Sequence, residues 1–219
     1  MRLFTRILNR LRFEKQRLAN WLRTCWEACI TLMVRTHVRR WEKVAQGGRP
    51  SWDERNEIIA GYIPAGSSIL DVGCGAQTLK QHLKPGCRYQ PSDVVKSTPE
   101  VIFCDFNANV YPDVKEKYDY VVCSGVLEYI REPEKFLRRI PPLGHSVILS
   151  YNPLLPGGSK LTRMGNGWGW VNHFTKEELQ TLFGECGFFF KLLIDHEKGY
   201  SIYLLTQSGQ ISTMGGWTE

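Results

Sequence analysis

Ser68–Thr78, with the sequence SILDVGCGAQT, is an apolar strand pattern that leads into two glycines and then into a predicted helix. Gly73 and Gly75 have no Cβ atom, so a ligand can approach the backbone at the carboxyl end of this strand. Cys74 lies between the two glycines, and Asp71 precedes them, where its carboxylate can bind an ammonium group or orient the loop. The two glycines alone are not specific, because the dinucleotide-binding fingerprint requires a third glycine that this stretch lacks.

Predicted strands and helices alternate along the chain after the glycine turn. The last two strands are joined by a short polar turn typical of an antiparallel hairpin. Buried strands that alternate with helices are typical of a mostly parallel sheet. We therefore predict an α/β fold with a doubly wound, mostly parallel seven-stranded sheet, a C-terminal antiparallel hairpin and an N-terminal helical extension. The six further strands are predicted at Tyr89–Val95, Val101–Cys104, Tyr118–Cys123, Val147–Ser150, Phe188–Ile194 and Ser201–Thr206, and helices at Thr78–Leu83, Glu134–Ile140 and Thr175–Phe183.

The basic charge of the chain is concentrated in residues 1–45. This segment has 11 Lys and Arg residues against three acids, a net charge of +8, whereas the remaining 174 residues have 17 against 19, a net charge of −2. Its apolar residues recur three or four positions apart with arginines between them, which predicts a basic amphipathic helical extension. The longest uncharged run, Ala28–Val34, fits neither a membrane span nor a signal-peptide core.

The sequence leaves several roles open for this extension. It can be a helical cap whose apolar stripe packs on the main domain, a helix that lies on an anionic membrane surface, a mitochondrial presequence or an arm that binds nucleic acid. We predict that residues 46–66 form a linker and a lead-in helix, that residues 67–207 form the main domain, and that residues 208–219 form a C-terminal tail.

Two further acids lie at the end of the second predicted strand and directly after the third. Asp93 comes 22 residues after Asp71, where it can accept hydrogen bonds from both hydroxyls of a ribose. Asp105 is followed by Phe106, and this pair can bind the exocyclic amine of adenine and stack on its ring. Each acid alone is typical of a strand end or a turn. Three acids at the carboxyl ends of successive strands predict one shared site.

With these motifs in this order, residues 52–206 resemble the class I S-adenosylmethionine-dependent methyltransferases. Ile69–Gly75 corresponds to the first glycine motif of that family, and Asp93 and Asp105 correspond to its ribose-binding and adenine-binding acids. The resemblance implies a Rossmann-like methyltransferase fold, with S-adenosyl-L-methionine as the cofactor of the 67–207 domain.

Later motifs extend the resemblance. Asp119–Tyr129, which contains Ser124 and Gly125, matches the fourth-strand motif that runs along the methionine portion of the cofactor. His173–Leu179 and Cys186–Phe188 resemble an ending common in the family. The resemblance implies a cofactor site made of Asp71, Gly73, Cys74, Gly75, Asp93, Asp105, Phe106, Ser124 and Gly125.

The resemblance implies a methyltransferase that transfers a methyl group to an oxygen or nitrogen of a small-molecule, sugar or lipid-linked acceptor. Two alternatives stay open: a catalytically silent S-adenosylmethionine-binding regulatory subunit, and an RNA methyltransferase that uses the basic N-terminal arm. We expect no DNA partner, and RNA is the weaker alternative. The fold alone hosts many acceptors, so the motifs do not identify this one.

His173 is the candidate general base. It lies in a segment expected to fold over the carboxyl ends of the strands, and its ordinary pKa suits proton transfer near neutral pH. A histidine directly before a helix is also common as a structural hydrogen-bonding group. Trp168, Trp170, Phe174 and Tyr151 belong to the same region, where they can line an acceptor pocket or pack as a hydrophobic lid.

The seven cysteines include no Cys-x-x-Cys pair, so we expect neither a disulfide framework nor a metal site. Reduced thiols are typical of the cytoplasm, and we therefore expect a cytoplasmic protein. Attachment at the inner membrane surface through residues 1–45 stays an alternative.

Overall fold

The computed structural model of the chain describes residues 2–47, 50–164 and 168–207. Its seven strands are β1 (Ser68–Val72), β2 (Arg88–Asp93), β3 (Ile102–Phe103), β4 (Tyr118–Ser124), β5 (Gly144–Tyr151), β6 (Phe188–Asp195) and β7 (Ser201–Gln207). They form one sheet in the order β3-β2-β1-β4-β5-β7-β6, with β1 to β5 parallel and β7 antiparallel to both β5 and β6. The predicted seven-stranded α/β sheet and its C-terminal hairpin are confirmed.

Helices precede the sheet and lie between its strands. They are α1 (Arg2–Met33), α2 (Val38–Ala45), α3 (Pro50–Gly61), α4 (Leu79–His82), α5 (Pro133–Arg139), α6 (Lys160–Met164) and α7 (Lys176–Glu185). Short 3₁₀ turns occur at Phe106–Ala108, Leu127–Tyr129 and Pro141–Leu143. None of the helices in the described ranges combines the length and the hydropathy that crossing a bilayer requires.

The central strands are buried on both faces of the sheet. Ile69 and Leu70 are neighbours in β1, but successive side chains of a strand point to opposite faces. Leu70 belongs to a core cluster with Phe136 of α5 and Phe183 of α7, whereas Ile69 belongs to a second cluster with Ile59 of α3. Helices therefore cover both faces, which explains the nearly continuous apolar sequence of β1 and β4.

The strand order reverses at β1. β2 and β3 lie on one side of this strand, and β4 and β5 lie on the other. In open α/β sheets such a reversal leaves a crevice at the carboxyl ends of the strands, where ligands bind. The loop that follows β1 and the loop that follows β4 both border this crevice.

α7 begins with a capping box formed by Thr175 and, three residues later, Glu178. The Thr175 hydroxyl accepts a hydrogen bond from the Glu178 amide (3.2 Å), and the Glu178 carboxylate accepts one from the Thr175 amide (2.8 Å). These bonds satisfy amides that a helix N-terminus leaves unpaired. The fixed start directs Leu179 and Phe183 into the core.

The N-terminal extension does form helices, but α1 does not pack on the domain through its apolar stripe. Trp21, Leu22 and Trp26 are each more than half exposed, whereas Ala28 and Thr31, both small, are the buried residues among the α1 side chains that the structure describes. Of the roles left open for the extension, a cap with an inward apolar stripe does not fit the part of α1 whose side chains are described.

Polar contacts hold the C-terminal end of α1. Arg131 donates hydrogen bonds to the main-chain oxygens of Thr31 and Val34, which belong to the last turn of the helix and the residue after it. Asn107 Nδ2 donates to Arg35 O at 3.2 Å. These donors satisfy carbonyls that a helix C-terminus leaves unpaired.

The lead-in helix predicted within residues 46–66 is α3, which begins at Pro50. Proline suits the first turn of a helix because its missing N–H would have no helical partner there. The predicted tail, residues 208–219, lies outside the described residues.

Thr175→Ala removes the hydroxyl of the α7 capping box and leaves the Glu178 amide without its acceptor. We expect the free energy of unfolding to fall by about 1 kcal/mol. Urea denaturation followed by circular dichroism measures this change. Thr175→Ser is the matched control, because it keeps the hydroxyl and should cost less than about 0.5 kcal/mol. Equal losses in the two variants would contradict the assigned cap.

Candidate active site

A cavity of about 390 Å³ opens at the carboxyl ends of β1, β2 and β4. Its wall includes all nine residues predicted to bind a cofactor, together with residues from α3 and from the segment before α2. The reversal of strand order at β1 therefore brings together residues that lie more than 50 positions apart in the sequence. The predicted shared site of three acids is present as a geometric feature.

The glycine turn after β1 is tied to the end of β2. The Gly73 and Cys74 amides donate to Ser92 O at 2.8 Å and 3.1 Å. Gly73 and Gly75 have φ values of +71° and +51°, a region that residues with a Cβ atom rarely adopt. A Cβ atom at position 73 would also lie 2.7 Å from a methyl carbon of Val126. The turn therefore requires glycine at position 73 both for conformation and for space.

Asp71 is almost completely buried at the base of the cavity. Its Oδ2 atom accepts a hydrogen bond of 2.6 Å from the Tyr89 hydroxyl. Burial raises the pKa of Asp71 to about 7, against the lowering effect of that hydrogen bond, and the nearby Asp93 carboxylate adds to the increase. The role of Tyr89 could not be predicted from the sequence, because nothing in a strand pattern indicates which group a tyrosine hydroxyl will bind.

Asp93 holds the glycine turn in place. Its Oδ2 accepts a hydrogen bond from the Gly75 amide (2.9 Å), and its Oδ1 accepts one from the Val95 amide (3.0 Å). Burial raises the pKa of Asp93, while these amide donors lower it. Burial raises the pKa of Cys74, in the same wall, well above its ordinary value, which disfavours the nucleophilic thiolate.

Asp105 and Phe106 form the far end of the cavity beyond β3. Asp105 Oδ1 accepts hydrogen bonds from the Thr36 hydroxyl (2.9 Å) and from the Ala108 amide (3.2 Å). Phe106 packs edge-on against Phe136, with ring centroids 4.9 Å apart. Thr36 belongs to the N-terminal extension, and no local pattern in the sequence indicates that it reaches this acid.

Ser124 and Gly125, at the end of β4, also line the cavity, where the buried Arg55 contacts them. Arg55 Nε of α3 donates to Ser124 Oγ at 3.0 Å, and Ser124 Oγ donates to Asn56 Oδ1 at 2.7 Å. A Cβ atom at position 125 would lie 2.8 Å from an Arg55 nitrogen, so this glycine leaves room for the guanidinium. Burial lowers the pKa of Arg55, and the Glu128 carboxylate opposes that effect.

Glu128 is a fully buried carboxylate in the cavity wall. Its Oε1 accepts hydrogen bonds from the main-chain amide (3.0 Å) and side-chain Nδ2 (2.7 Å) of Asn152. Its Oε2 has no hydrogen-bond partner among the described residues. Buried carboxylate oxygens are normally paired, so Oε2 is an unsatisfied acceptor enclosed behind the cavity wall.

Aromatic rings form the outer part of the cavity. Trp168 and Trp170 stack with centroids 5.9 Å apart, and the Arg163 guanidinium lies 4.5 Å from the Trp170 ring centroid. Trp170 Nε1 donates to the Tyr129 hydroxyl at 3.2 Å, and Trp41 from α2 packs edge-on against Tyr129. Trp168 and Trp170 thus line the cavity, which agrees with the acceptor-pocket interpretation of these residues rather than with the hydrophobic lid.

The other two aromatic candidates lie in the core instead. Tyr151 is fully buried, and its hydroxyl accepts a hydrogen bond of 3.0 Å from the Phe174 amide. Neither residue is part of the cavity wall, and Phe174 packs against the core cluster. For this pair the structure agrees with the packing alternative.

His173 is buried beside the core and is not part of the cavity wall. Burial lowers its pKa, and the positive charges of Arg163 and Lys160 lower it further. Neither ring nitrogen has a hydrogen-bond partner among the described residues. The role of His173 as a general base stays a prediction, and the geometry does not bring it to the cavity.

Comparisons with solved structures agree with this fold. The chain is similar to a putative O-methyltransferase from Nostoc punctiforme, with 14% identity and a TM-score of 0.59 over 76% of this chain and 60% of that one. It is also similar to the N-terminal domain of EvdMO1, crystallised in the presence of S-adenosylhomocysteine and D-fucose, with 14% identity and a TM-score of 0.50 over 74% of this chain and 85% of that one.

Among curated proteins, an uncharacterized protein of Methanocaldococcus jannaschii is 29% identical over 116 residues. The matched stretch is 44% of this chain but 31% of that protein, so the chain spans about a third of its length. A family model described as a methyltransferase domain matches residues 45–189, which is more than half of the chain. The protein therefore belongs to the methyltransferase-domain family, and the resemblance to the class I methyltransferases is confirmed.

Proposed function

We propose that the protein is an S-adenosylmethionine-dependent methyltransferase that acts on an oxygen or nitrogen of a small-molecule, sugar or lipid-linked acceptor. The observation that carries the proposal is the meeting of Asp71, Asp93 and Asp105 with the Gly73–Gly75 turn in one cavity. The S-adenosylhomocysteine present with the EvdMO1 domain supports the same class of cofactor.

The residues of the cavity fit the groups of this cofactor. A carboxylate has about four lone-pair sites, so Asp93 and Asp105 keep acceptor capacity after their protein hydrogen bonds. Asp93 would accept from the ribose hydroxyls, and Asp105 would accept from the adenine amine beside the Phe106 ring. A volume of about 390 Å³ lies within the range of small-molecule sites.

The glycine turn and the end of β4 would hold the methionine portion. Gly73 and Gly75 leave main-chain atoms uncovered at the wall, and Asp71 would accept a hydrogen bond from the ammonium group. When bound, S-adenosylmethionine supplies a methyl group activated by the positive charge of its sulfur. The protein would then act mainly by aligning the acceptor with that methyl group and excluding water.

The acceptor would lie at the aromatic end of the cavity, between Trp168, Trp170 and Tyr129. An acceptor that loses a proton during methyl transfer needs a group to accept it. Glu128 belongs to the cavity wall, and its enclosed Oε2 has no partner among the described residues. We propose that a bound acceptor exposes this oxygen, which then accepts the proton. His173 is the alternative base, and its place outside the wall makes it the weaker one.

Two measurements test the proposal as a whole. Calorimetric titration with S-adenosylhomocysteine tests cofactor binding, and transfer of radiolabelled methyl groups to metabolite, lipid and RNA extracts tests catalysis. Binding without transfer to any extract would favour the silent regulatory subunit. Transfer confined to RNA would favour the RNA methyltransferase, whereas no cofactor binding would contradict all three.

Gly73→Ala should weaken S-adenosylhomocysteine binding by at least about tenfold, because the new methyl group must displace Val126 and the turn has a positive φ. Gly66→Ala is the matched control. Gly66 has a similar φ of +78°, with no atom within 4 Å of the added Cβ, so it should lower stability while binding stays unchanged. Calorimetry and thermal unfolding of both variants separate strain in the turn from loss of the site.

Asp71 should link cofactor binding to pH. Its pKa of about 7 means that the carboxyl is partly protonated near neutral pH, and an ammonium group favours the carboxylate. Binding should therefore release a proton and tighten as the pH rises from about 6 to about 8. Calorimetry in buffers of different ionisation enthalpy measures the release, and Asp71→Asn should abolish it.

The same group also affects the stability of the protein without ligand. A carboxyl whose pKa is raised by folding stabilises the protein at low pH, and this contribution is lost as the pH rises through about 7. The free energy of unfolding of the parent, relative to Asp71→Asn, should fall as the pH rises from about 4 to about 7. A constant difference between the two proteins would show that Asp71 is ionised throughout.

Glu128→Gln should reduce methyl transfer to the identified acceptor by about 10²-fold or more, because the amide keeps the shape but cannot accept the proton as a carboxylate does. His173→Ala should leave turnover within about threefold, apart from any loss of stability. Initial rates across pH for both variants measure the effects. The opposite pattern would assign the base to His173.

A further inference from the structure

We propose that α1 docks on anionic membrane surfaces through its outward apolar face. We define this face as Leu18, Trp21, Leu22, Trp26 and Met33, which are between 54% and 85% exposed. The proposal concerns a binding surface outside the cavity. Only its consequence for the choice of acceptor rests on the proposed function.

The apolar face is a single stripe on one side of α1. Leu18, Leu22 and Trp26 are four residues apart, and Met33 is seven residues after Trp26, so all four lie on the same side of a helix with 3.6 residues per turn. Trp21 lies next to Leu18, three residues earlier, at the edge of this stripe. Large apolar side chains gathered on one exposed side are typical of an interaction surface rather than of scattered surface residues.

The protein body contacts the side of α1 that borders Trp21, and not the side on which Leu18, Leu22, Trp26 and Met33 lie. Ala28 and Thr31 are three residues apart and are buried, although neither belongs to the apolar face. α1 also contacts α6, whose Leu161 is exposed. The helix is therefore attached through small residues, and its large apolar residues stay directed away from the domain. This orientation is the reverse of what burial in the protein core would produce.

The charge around the apolar face favours an anionic partner. Arg12, Lys15, Arg17 and Arg23 are exposed on the same helix, and residues 1–45 have a net charge of +8. α1 alone has seven Lys and Arg residues against two acids, a net charge of +5, whereas the chain after residue 45 has a net charge of −2. A basic helix with tryptophan and leucine on its apolar side matches the physical requirements for lying in the interface of an anionic bilayer.

Other occupants explain these features less well. A second copy of the chain would bring two helices of the same strong positive charge together, and like charges repel. A nucleic acid would use the arginines, but it offers no apolar surface to cover Trp21, Leu22 and Trp26. An anionic bilayer complements both the charge and the apolar face, so we commit to it.

Docking would also place a wall of the cavity next to the membrane. α1 ends at Met33, and within eight residues the chain reaches Thr36 and Trp41, both of which line the cavity. Thr36 donates a hydrogen bond to Asp105, and Arg131 holds the end of α1. If the proposed function holds, this arrangement favours the lipid-linked class among the acceptors.

The test uses the full chain and vesicles of phosphatidylcholine with or without phosphatidylglycerol, in a flotation assay. We expect association with the phosphatidylglycerol vesicles to be about tenfold stronger and to weaken as salt is added. The combined change Trp21→Ser, Leu22→Ser and Trp26→Ser should weaken it by about tenfold or more. The matched control, Gln16→Ser with Asn20→Ser on the opposite side of α1, should leave association unchanged.

Circular dichroism and the unfolding transition check that each variant is folded. A second variant, Arg17→Gln with Arg23→Gln, keeps the apolar face and should remove most of the preference for phosphatidylglycerol. Equal association of the parent and the triple variant, or no preference for anionic vesicles, would overturn the proposal. A lipid-free dimer that the triple variant dissociates in analytical ultracentrifugation would assign the face to a second copy and would also overturn it. Cofactor binding is measured separately, so failure of the proposed function would not be mistaken for failure of docking.

Discussion

The hydrogen bond from the Gly75 amide to the Asp93 carboxylate joins the turn after β1 to the end of β2, and the geometry of the site depends on it. The same turn is held by two further amides that donate to Ser92 O. These bonds require the parallel register in which Val72 lies opposite Ser92, because a shift by one residue would move the Asp93 side chain to the other face of the sheet. The packing of the two core clusters fixes that register.

Three carboxylates of the cavity wall, those of Asp71, Asp93 and Glu128, are buried, so water has little access to them. Burial disfavours the charged form of Asp71 and Asp93, and the protein offsets this only in part through Tyr89 and main-chain amides. Glu128 keeps one buried oxygen without a partner among the described residues. Buried acceptors of this kind lower the stability of the folded protein when no ligand is bound. They are suited to a ligand that brings hydroxyl, amine or ammonium donors.

The N-terminal extension contributes to the site as well as to the surface. Thr36 bonds to Asp105, and Trp41 packs against Tyr129 in the cavity wall. α1 itself is attached by its C-terminal end and by small residues, with its large apolar residues outward. The proposed docking and the proposed methyl transfer would therefore share the short segment between α1 and α2.

The strands and the glycine turn could be predicted from sequence because both are local signals. An apolar, β-branched run indicates β1, and the pair of glycines indicates the turn after it. A threonine followed three residues later by a glutamate indicates the α7 cap. Each of these patterns involves neighbouring residues alone. The three acids could be placed because parallel strands end at the same edge of a sheet.

Contacts between distant segments could not be predicted, because no local periodicity encodes them. Tyr89 with Asp71, Thr36 with Asp105, and Arg55 with Ser124 each join residues on separate elements.

The orientation of α1 is the clearest case. The sequence by itself determined that this helix is amphipathic and basic, since spacing and charge are local properties. Only the tertiary structure decided which side faces the domain, because burial of Ala28 and Thr31 depends on the shape of the surface that the rest of the chain presents. The same reason places His173 beside the core and Glu128 in the cavity wall.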